Sequence, residues 1–341
     1  MPVSGLEIPF EVRMAPFVEQ ARYHGIRWAR RMGMVKSDEA ADYWHAAMMP
    51  ELACLHWAQA NQRSVELAVD LMTFYFFLDD QFDVALGWDP QAVLRVVEPL
   101  NRITFTGGVT DRTEPIYVAF ADIWSRVVQG MSAGWCQRMA AHWRDFFNGQ
   151  FFEAAHRKLG TTYDLTEYKQ CRHFNVGVQS TLDLTERIGE YEVPEEIKFH
   201  PHLWLMRKNI ARTTSMSNDL QSYEKEAGAD NRTDNIVFVV SRTLGIPVAE
   251  AAERVRADAH DQLRDFLRLE SELPQVVDAL GRDTYGEVVE LYVEGLKATM
   301  VGYDTWGNMS YRYQRDDFTP AAVLAHLEDL TGVTNPLSER R

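Results

Sequence analysis

The sequence predicts a single all-α domain covering residues 1–341, with short tails at 1–15 and 330–341 that we expect to be poorly ordered. Apolar residues recur at helical spacing nearly throughout the chain. Runs that alternate polar and apolar residues, which indicate half-buried strands, do not occur. No repeat, low-complexity segment or linker divides the 341 residues. One large helical domain is therefore the simplest interpretation.

Six helical segments are predicted in the first part of the chain, and three of them begin at a recognisable capping residue. Ser37 precedes two acids, Asp89 precedes a proline, and Thr166 precedes a run of helix-forming residues. The segment from 63 to 83 carries apolar residues on every side of its later turns, which predicts a central, buried helix. The six segments are residues 37–58, 63–83, 89–103, 114–131, 134–160 and 166–190.

The helical pattern continues in the second part of the chain, with one polar loop at residues 227–235. Residues 235–240, NIVFVV, are β-branched and would suit a strand by propensity. We predict a helix there because these residues lie among helices and have no partner strand. Thr319, followed by proline, is the predicted cap of the last segment. The segments are 200–226, 235–245, 247–273, 273–308 and 319–332.

The charge of the chain narrows the class of its partners. Its formal net charge is −15, which argues against nucleic acid, because phosphate backbones bind basic faces. No stretch approaches about 18 uncharged apolar residues, so no membrane span is expected. The three scattered cysteines suggest no disulfide framework. We expect a cytoplasmic protein with free thiols, either a monomer or a homodimer.

Three carboxylates crowd the end of the predicted buried helix, in LDDQFD at residues 78–83. Asp79 and Asp83 are four residues apart, so they project from one helix face about 6 Å apart along the axis. Asp80 is rotated by about 100° from Asp79. Like charges at this spacing repel one another, and carboxylate oxygens suit Mg²⁺ or Mn²⁺. The alternative is a solvated helix end with stray acids.

A second oxygen-bearing stripe lies in SNDLQSYEKEAG at residues 217–228. Asn218, Ser222 and Glu226 follow one another every fourth residue, over about 12 Å of helix. An amide, a hydroxyl and a carboxylate oxygen together make a hard-metal site of low charge. A polar surface face is the alternative, but Asn and Ser are poor helix formers and such a face does not explain them.

Together the two patterns resemble the metal-binding motifs of bacterial class I terpene synthases, in their order and in their separation along the chain. Arg172 lies 46 residues before Asn218, where this family carries an arginine that senses diphosphate. The pair Arg312 and Tyr313 stands near the C-terminus like the family's Arg-Tyr pair, and Trp306 precedes it at the usual distance. The matching motif residues are Asp79, Asp80 and Asp83, then Asn218, Asp219, Ser222, Lys225 and Glu226.

The resemblance implies a helical bundle with a central hydrophobic cavity and three Mg²⁺ ions, with Mn²⁺ as an alternative. It makes Asp79 the first metal ligand and Asp80 the second, with Asp83 supporting the site. The third ion would be held by the second motif. Catalytic roles are implied for Arg172, Arg312 and Tyr313, which with Lys225 would bind the substrate diphosphate. The implied third-ion ligands are Asn218, Ser222 and Glu226.

The resemblance also implies a cavity wall of aromatic rings, for which Phe76, Phe77 and Trp306 are the candidates. One position departs from the family pattern. The family often places an acid or small polar residue three positions after the sensor arginine, with a small residue next to it. Here Asn175 is followed by Val176, and Gly177 comes one position later. The backbone break that normally follows the sensor is therefore expected to be shifted.

The function implied by the resemblance is that of a sesquiterpene synthase. Such an enzyme ionises farnesyl diphosphate, releases diphosphate and cyclises the allylic cation to a hydrocarbon or an alcohol. Geranyl or geranylgeranyl diphosphate is an alternative substrate. A chain-elongating prenyltransferase would normally carry a second aspartate-rich motif in place of the Asn, Ser and Glu stripe. A non-catalytic helical protein with decayed motifs is the remaining alternative, and it is disfavoured because all the motifs are intact.

Overall fold

The computed structural model describes residues 4–83, 85–227, 234–313 and 327–333. Within these ranges the chain is helical and contains no strand, which confirms the predicted fold class. A short 3₁₀ turn, Ala85–Trp88, follows the fourth helix. The α-helices are α1 (Val18–Arg31), α2 (Asp38–Ala46), α3 (Met49–His56), α4 (Gln62–Phe82), α5 (Pro90–Phe105), α6 (Pro115–Val127), α7 (Ala133–Leu159), α8 (Leu165–Asn175), α9 (Val178–Ile188), α10 (Glu195–Lys198), α11 (Pro201–Ala227), α12 (Ile236–Leu244), α13 (Val248–Leu280) and α14 (Arg282–Gly307).

Two of the predicted helix caps are confirmed and one is wrong. The Ser37 and Asp89 side chains accept hydrogen bonds from the first turns of α2 and α5. Helix α8 is capped by Asp164 and not by Thr166, because the Asp164 carboxylate accepts from the backbone N–H of Thr166 and of Glu167. The Glu167 carboxylate accepts from the Asp164 N–H in return, which completes a capping box. The predicted cap at Thr319 lies outside the described residues.

The helix boundaries of the second half differ from the sequence prediction at one place. Helix α13 continues through Pro274 to Leu280, and the turn to α14 lies at Gly281. A proline removes one backbone donor, but Leu273 and Val277 on either side of it are buried. Their packing holds the helix together there. Residues 236–244 form α12, so the choice of helix over strand for NIVFVV is confirmed.

The core consists of two hydrophobic clusters. The first is built mainly from residues 15–154 and the second mainly from residues 163–300. Helix α4 is buried on nearly every side, as its apolar sequence predicted. Helix α14 packs against α3 of the first cluster and against α11 of the second. The ends of α4 and α11 that carry the acidic motifs are therefore set by well-packed helices.

The N-terminal segment is ordered by packing against the last two helices. The Ser4 hydroxyl donates to Asp304 Oδ1 at 2.6 Å, and the Ser4 carbonyl accepts from Arg256 Nε at 2.8 Å. Leu6 is buried in the second cluster, and Leu330 is buried in the first. Within the tails predicted at 1–15 and 330–341, Ser4, Leu6 and Leu330 therefore pack against the helical core. Residues 1–3 and 334–341 lie outside the described part of the chain.

A buried carboxylate interrupts the apolar surface of α4 at its midpoint. Asp70 is fully buried, and its Oδ2 lies 3.0 Å from His24 Nε2 and 2.9 Å from Arg126 Nη1. Burial raises the pKa of Asp70 to about 6, although its contacts with His24 and Arg126 act in the opposite direction. The Asp70 carboxylate therefore connects α4 to His24 of α1 and to Arg126 of α6 by polar contacts, in addition to the apolar packing of these helices.

None of the helices in the described ranges combines the length and the apolar composition that crossing a bilayer would require.

Candidate active site

The three carboxylates of the first motif gather at the C-terminal end of α4. One ligand oxygen from each of Asp79, Asp80 and Asp83 lies within 4.8 Å of the others. Asp80 is buried, whereas Asp79 and Asp83 are half-buried. Burial and the neighbouring Asp83 carboxylate raise the pKa of Asp79. The cluster thus concentrates negative charge at a partly shielded rim, where a cation is electrostatically favoured.

Two basic side chains balance this charge. Arg312 donates through Nη1 to Asp80 Oδ1 at 2.6 Å and through Nη2 to Asp79 Oδ2 at 3.0 Å. Lys225 Nζ lies 3.5 Å from Asp83 Oδ2, which joins the second motif directly to the first. The Tyr43 hydroxyl also donates to Asp80 Oδ2 at 3.0 Å. The Arg312 side chain is only 5% exposed, so these charge-assisted bonds are largely removed from water.

The segment that carries Arg312 is fixed by contacts with the end of α2. Trp306 Nε1 and the Ser310 hydroxyl both donate to the Ala47 carbonyl, at 2.8 and 3.2 Å. The Tyr311 N–H donates to the Ala46 carbonyl at 3.2 Å. These three bonds place Arg312 over the first motif, with its guanidinium carbon 5.0 Å from the centre of the Phe76 ring.

The second motif lies on α11, with Asn218 at the centre of a polar network. The Asn218 amide donates to the Tyr303 hydroxyl at 2.5 Å and to the Tyr313 hydroxyl at 3.1 Å. Its Oδ1 accepts from Arg172 Nη2. Ser222 Oγ lies 3.4 Å from the Asn235 amide. The predicted ligand Asn218 and the predicted sensors Arg172 and Tyr313 are therefore in direct contact.

Glu226 completes the stripe on α11, one turn beyond Ser222. Its Oε2 is buried and has no hydrogen-bond partner among the described residues. Burial and the neighbouring Asp219 raise the pKa of Glu226 to about 7. An orphaned carboxylate oxygen beside a hydroxyl is costly unless a cation or a donor reaches it.

Asp219 holds Arg172 in place, a contact that the motif alone did not reveal. Its Oδ1 lies 2.7 Å from Arg172 Nη2, and its Oδ2 accepts from the Tyr168 hydroxyl at 2.6 Å. The N–H of Ile236 donates to the same carboxylate at 3.2 Å. Arg172 is thus held by the Asp219 carboxylate and the Asn218 amide oxygen, both on α11, and its side chain is only 18% exposed.

The backbone break after the sensor lies between α8 and α9. Helix α8 ends at Asn175, Val176 caps it, and Gly177 adopts a φ of +72° before α9 begins. Asn175 Nδ2 lies 3.4 Å from Glu153 Oε2 on α7. Asn175, Val176 and Gly177 all line the cavity described below. The break therefore contributes wall to the cavity.

An apolar cavity of about 760 Å³, including its mouth, extends from the two motifs into the bundle. Phe76 lines it, as predicted for that residue. Phe77 and Trp306 are not among the residues that line this cavity, so their predicted role is corrected for the described part of the chain. Phe77 packs against Tyr43, and Trp306 is fully buried behind Phe76. The lining residues are Leu52, His56, Met72, Tyr75, Phe76, Asp79, Phe146, Arg172, Asn175, Val176, Gly177, Val178, Thr181, Thr214, Asn218, Thr299, Tyr303 and Tyr313.

Arg157 is a buried arginine next to the first motif that sequence reasoning missed. Arg157 donates to Glu153 at 2.6 Å, to Asp234 at 2.9 Å and to the Phe82 carbonyl at 3.2 Å. Its side chain is 8% exposed. It therefore links α7 to the end of α4 and to the segment before α12. The lysine and arginine positions in the sequence gave no periodic or motif signal that would have singled it out.

The donor sets of both motifs fit a hard divalent cation. Every offered atom is an oxygen, the first set is wholly carboxylate, and the second combines amide, hydroxyl and carboxylate oxygens. The close approach of the three α4 acids and the orphaned oxygen of Glu226 are both relieved by a bound cation.

Known proteins resemble this chain over nearly its whole length. Residues 70–265 match a family model described as Terpene synthase family 2, C-terminal metal binding. A pentalenene synthase of Streptomyces avermitilis is 33% identical over 326 residues, which cover 95% of this chain and 96% of the relative. A protein of Saccharothrix espanaensis named (-)-beta-caryophyllene synthase ((2E,6E)-farnesyl diphosphate cyclizing) is 30% identical, with 96% and 94% covered.

Solved structures agree with the sequence comparison. The crystal structure of germacradien-4-ol synthase from Streptomyces citricolor matches with a TM-score of 0.79 and 31% identity, over 89% of this chain and 97% of that one. The matched family region begins at Asp70 in α4 and ends in α13, so it contains both oxygen-rich motifs and Arg172. With the family model matching more than half of the chain and a relative of 33% identity covered almost completely, the chain belongs to the terpene synthases of family 2 and carries their metal-binding domain.

Proposed function

We propose that this chain is a Mg²⁺-dependent sesquiterpene synthase. It ionises farnesyl diphosphate, releases diphosphate and cyclises the allylic carbocation. The observation that carries the proposal is that Asp79 and Asn218, from separate motifs, line the same apolar cavity together with Arg172 and Tyr313. A site with hard-metal oxygens and basic donors at one end, and an apolar interior at the other, matches a molecule with a charged head and a hydrocarbon tail.

The metal requirement is assigned to both motifs. Three Mg²⁺ ions per site are proposed, with Mn²⁺ as a possible substitute. When bound, they supply Lewis-acid stabilisation of the departing diphosphate. The residues that would hold them are Asp79 and Asp80, supported by Asp83, and then Asn218, Ser222 and Glu226.

The basic side chains are proposed to bind the diphosphate directly. Arg172 and Arg312 offer planar forks that match phosphate oxygens, Lys225 adds a point charge, and the Tyr313 hydroxyl adds a neutral donor. All four side chains lie at the polar end of the cavity or next to the first motif. They are held by acids or amides of the same site, so little ordering is needed when a diphosphate enters.

The apolar part of the cavity protects the cation once the diphosphate has left. Phe76, Tyr75 and Phe146 present aromatic rings in its wall. The electron-rich faces of such rings stabilise a cation without reacting with it. An apolar wall also excludes water, which would otherwise capture the cation before cyclisation.

Farnesyl diphosphate is the proposed substrate because a relative of 30% identity carries that substrate in its name. The single-domain organisation, the cytoplasmic location and the choice between monomer and homodimer stay predictions.

The test is a product assay with three substrates. Purified protein is incubated with Mg²⁺ and separately with geranyl, farnesyl and geranylgeranyl diphosphate, and the products are identified by gas chromatography with mass spectrometry. Farnesyl diphosphate is expected to give a cyclic sesquiterpene, and chelation by EDTA to stop its formation until Mg²⁺ is restored. Longer prenyl diphosphates formed on addition of isopentenyl diphosphate would instead show a prenyltransferase. No Mg²⁺-dependent diphosphate release from any substrate would rule out the proposed enzyme.

A further inference from the structure

A buried histidine, His56, lies in the wall of the cavity. His56 is the last residue of α3 and is 2% exposed. It lines the cavity together with Phe76 and Tyr303, and its ring meets the Tyr303 ring edge-on, with centroids 6.2 Å apart. Helix α3 is held in this position by α14, since a Cβ at Gly302 would lie 2.8 Å from the Leu55 backbone. His56 is therefore held in the cavity wall by two closely packed helices.

The hydrogen bonding of this histidine fixes its tautomer. His56 Nδ1 lies 3.1 Å from the Leu52 carbonyl oxygen. A carbonyl can only accept, so the Nδ1 atom carries the proton and Nε2 of the neutral ring keeps a free lone pair. No described residue donates a hydrogen bond to Nε2. Burial lowers the pKa of His56 to about 4, so the ring is neutral at physiological pH.

The other neutral side chains in the described cavity wall are poorer proton acceptors. The Asp79 carboxylate is engaged by Arg312 at 3.0 Å. The Tyr75 hydroxyl is bonded to Ser180, and those of Tyr303 and Tyr313 are bonded to each other and to Asn218. A neutral hydroxyl is also far less basic than an imidazole. His56 is therefore the strongest neutral base in the described apolar wall.

We propose that Nε2 of His56 is the base that ends the cyclisation cascade by removing a proton from the final carbocation. The C–H bond next to the cationic carbon breaks, and its electron pair forms the new C=C bond. The proton bonds to the Nε2 lone pair, and the Nδ1–H bond to Leu52 keeps the resulting imidazolium in place. The imidazolium returns the proton to water after the product has left. The product is accordingly a hydrocarbon.

This inference rests on the proposed function. Two measurements distinguish a failure of the proposed function from a failure of the role proposed for His56. Diphosphate release from farnesyl diphosphate reports ionisation, whereas the product mixture reports how the cascade ends. His56→Phe keeps the ring shape and His56→Gln keeps a polar group of intermediate size, but neither has a comparable base. In both, the share of turnovers ending in the wild-type hydrocarbon is expected to fall by about 10²-fold, the usual scale for losing a positioned base. Total diphosphate release should fall much less.

His202 provides the matched control variant. It is a part-buried histidine bonded to a backbone carbonyl, that of Leu269 at 2.6 Å, and it lies outside the cavity wall. His202→Phe should therefore leave the product mixture unchanged. Circular dichroism of all variants establishes that they are folded before products are compared.

A rescue experiment separates basicity from shape. His56→Ala leaves room for a five-membered ring, and added imidazole should restore the wild-type hydrocarbon. Pyrrole has the same ring size but no basic lone pair, so it should not. A wild-type mixture from both His56→Phe and His56→Gln, equal rescue by pyrrole, or an alcohol as the main wild-type product would overturn the proposal. An absence of diphosphate release from the wild type would instead refute the proposed function, and the role of His56 with it.

Discussion

Substitution of Gly177 by alanine tests whether the break between α8 and α9 shapes the cavity. Gly177 has a φ of +72°, and an L-residue in this left-handed region costs about 1–2 kcal/mol. Alanine also lowers the entropy of the unfolded chain, which offsets about 0.4–1 kcal/mol of that cost. The backbone contribution alone is therefore close to about 1 kcal/mol.

The surroundings of Gly177 add a second cost. A Cβ there would lie 3.2 Å from Tyr75 Cε1 and 3.5 Å from the Phe146 ring. Tyr75 cannot easily retreat, because its ring stacks on Trp143 at 4.4 Å and its hydroxyl is bonded to Ser180. Overpacking of this kind costs about 1–3 kcal/mol. We therefore expect Gly177→Ala to lower the free energy of unfolding by about 3 kcal/mol in all.

Gly160 supplies the matched control. It ends α7 with a φ of +63°, and a Cβ there would meet no described atom within 4 Å. Gly160→Ala should therefore cost only about 1 kcal/mol. Urea unfolding measures both values. Diphosphate release should fall about tenfold or more in Gly177→Ala, because the cavity wall shifts, and little in the control. Equal stabilities within about 0.5 kcal/mol together with unchanged turnover would refute the reasoning.

Three further predictions concern charge. Arg157→Met leaves Glu153 and Asp234, whose side chains are only 14% and 15% exposed, without their partner. It should lower the free energy of unfolding by about 3 kcal/mol, measured by urea unfolding. Lys158→Met, at a surface pair, should cost under about 1 kcal/mol. Asp70 has a pKa raised from 3.8 to about 6, so the folded state binds the extra proton between those values. As pH rises from about 4 to about 6, the free energy of unfolding of the wild type should therefore fall by up to about 3 kcal/mol relative to that of Asp70→Asn. A difference between the two proteins that does not change with pH would contradict this prediction. Asn218→Ala and Arg172→Ala should each reduce diphosphate release by at least about 10²-fold with an unchanged circular dichroism spectrum, and wild-type rates in either would remove the roles proposed for them.

The sequence was most informative where function depends on neighbours along one helix. Asp79 and Asp83 are one turn apart, and Asn218, Ser222 and Glu226 repeat at the same interval, so a single helix brings each set together. The helical segments themselves could also be predicted from the sequence, because the spacing of apolar residues indicates which face of a helix is buried. The exact helix ends were harder to predict, because neighbouring polar residues can each serve as the cap. At α8 the capping box makes Asp164 the cap, two residues before the predicted Thr166.

Contacts between distant helices could not be foreseen in the same way. Tyr43 reaches Asp80 from α2, and Tyr303 reaches Asn218 from α14, across 37 and 85 residues of chain. A lone tyrosine carries no spacing signal that distinguishes such a partner from core packing. Trp306 shows the converse error, because an aromatic residue near a motif was assigned to the cavity although it packs behind the wall. The partners of Tyr43 and Tyr303 and the location of Trp306 depend on how the helices pack together, which the periodicity of the sequence does not specify.

The acidic composition and an anionic substrate are compatible because the relevant cations are few and buried. The side chains of Arg312, Arg172 and Lys225 are 5%, 18% and 13% exposed. Each is paired with an acid of the same site, so none contributes a basic patch to the surface. In a poorly solvated site such charges interact more strongly than they would in water. A net charge of −15 is therefore compatible with a small anionic ligand, because three basic side chains within the site, largely shielded from water, supply the positive charge.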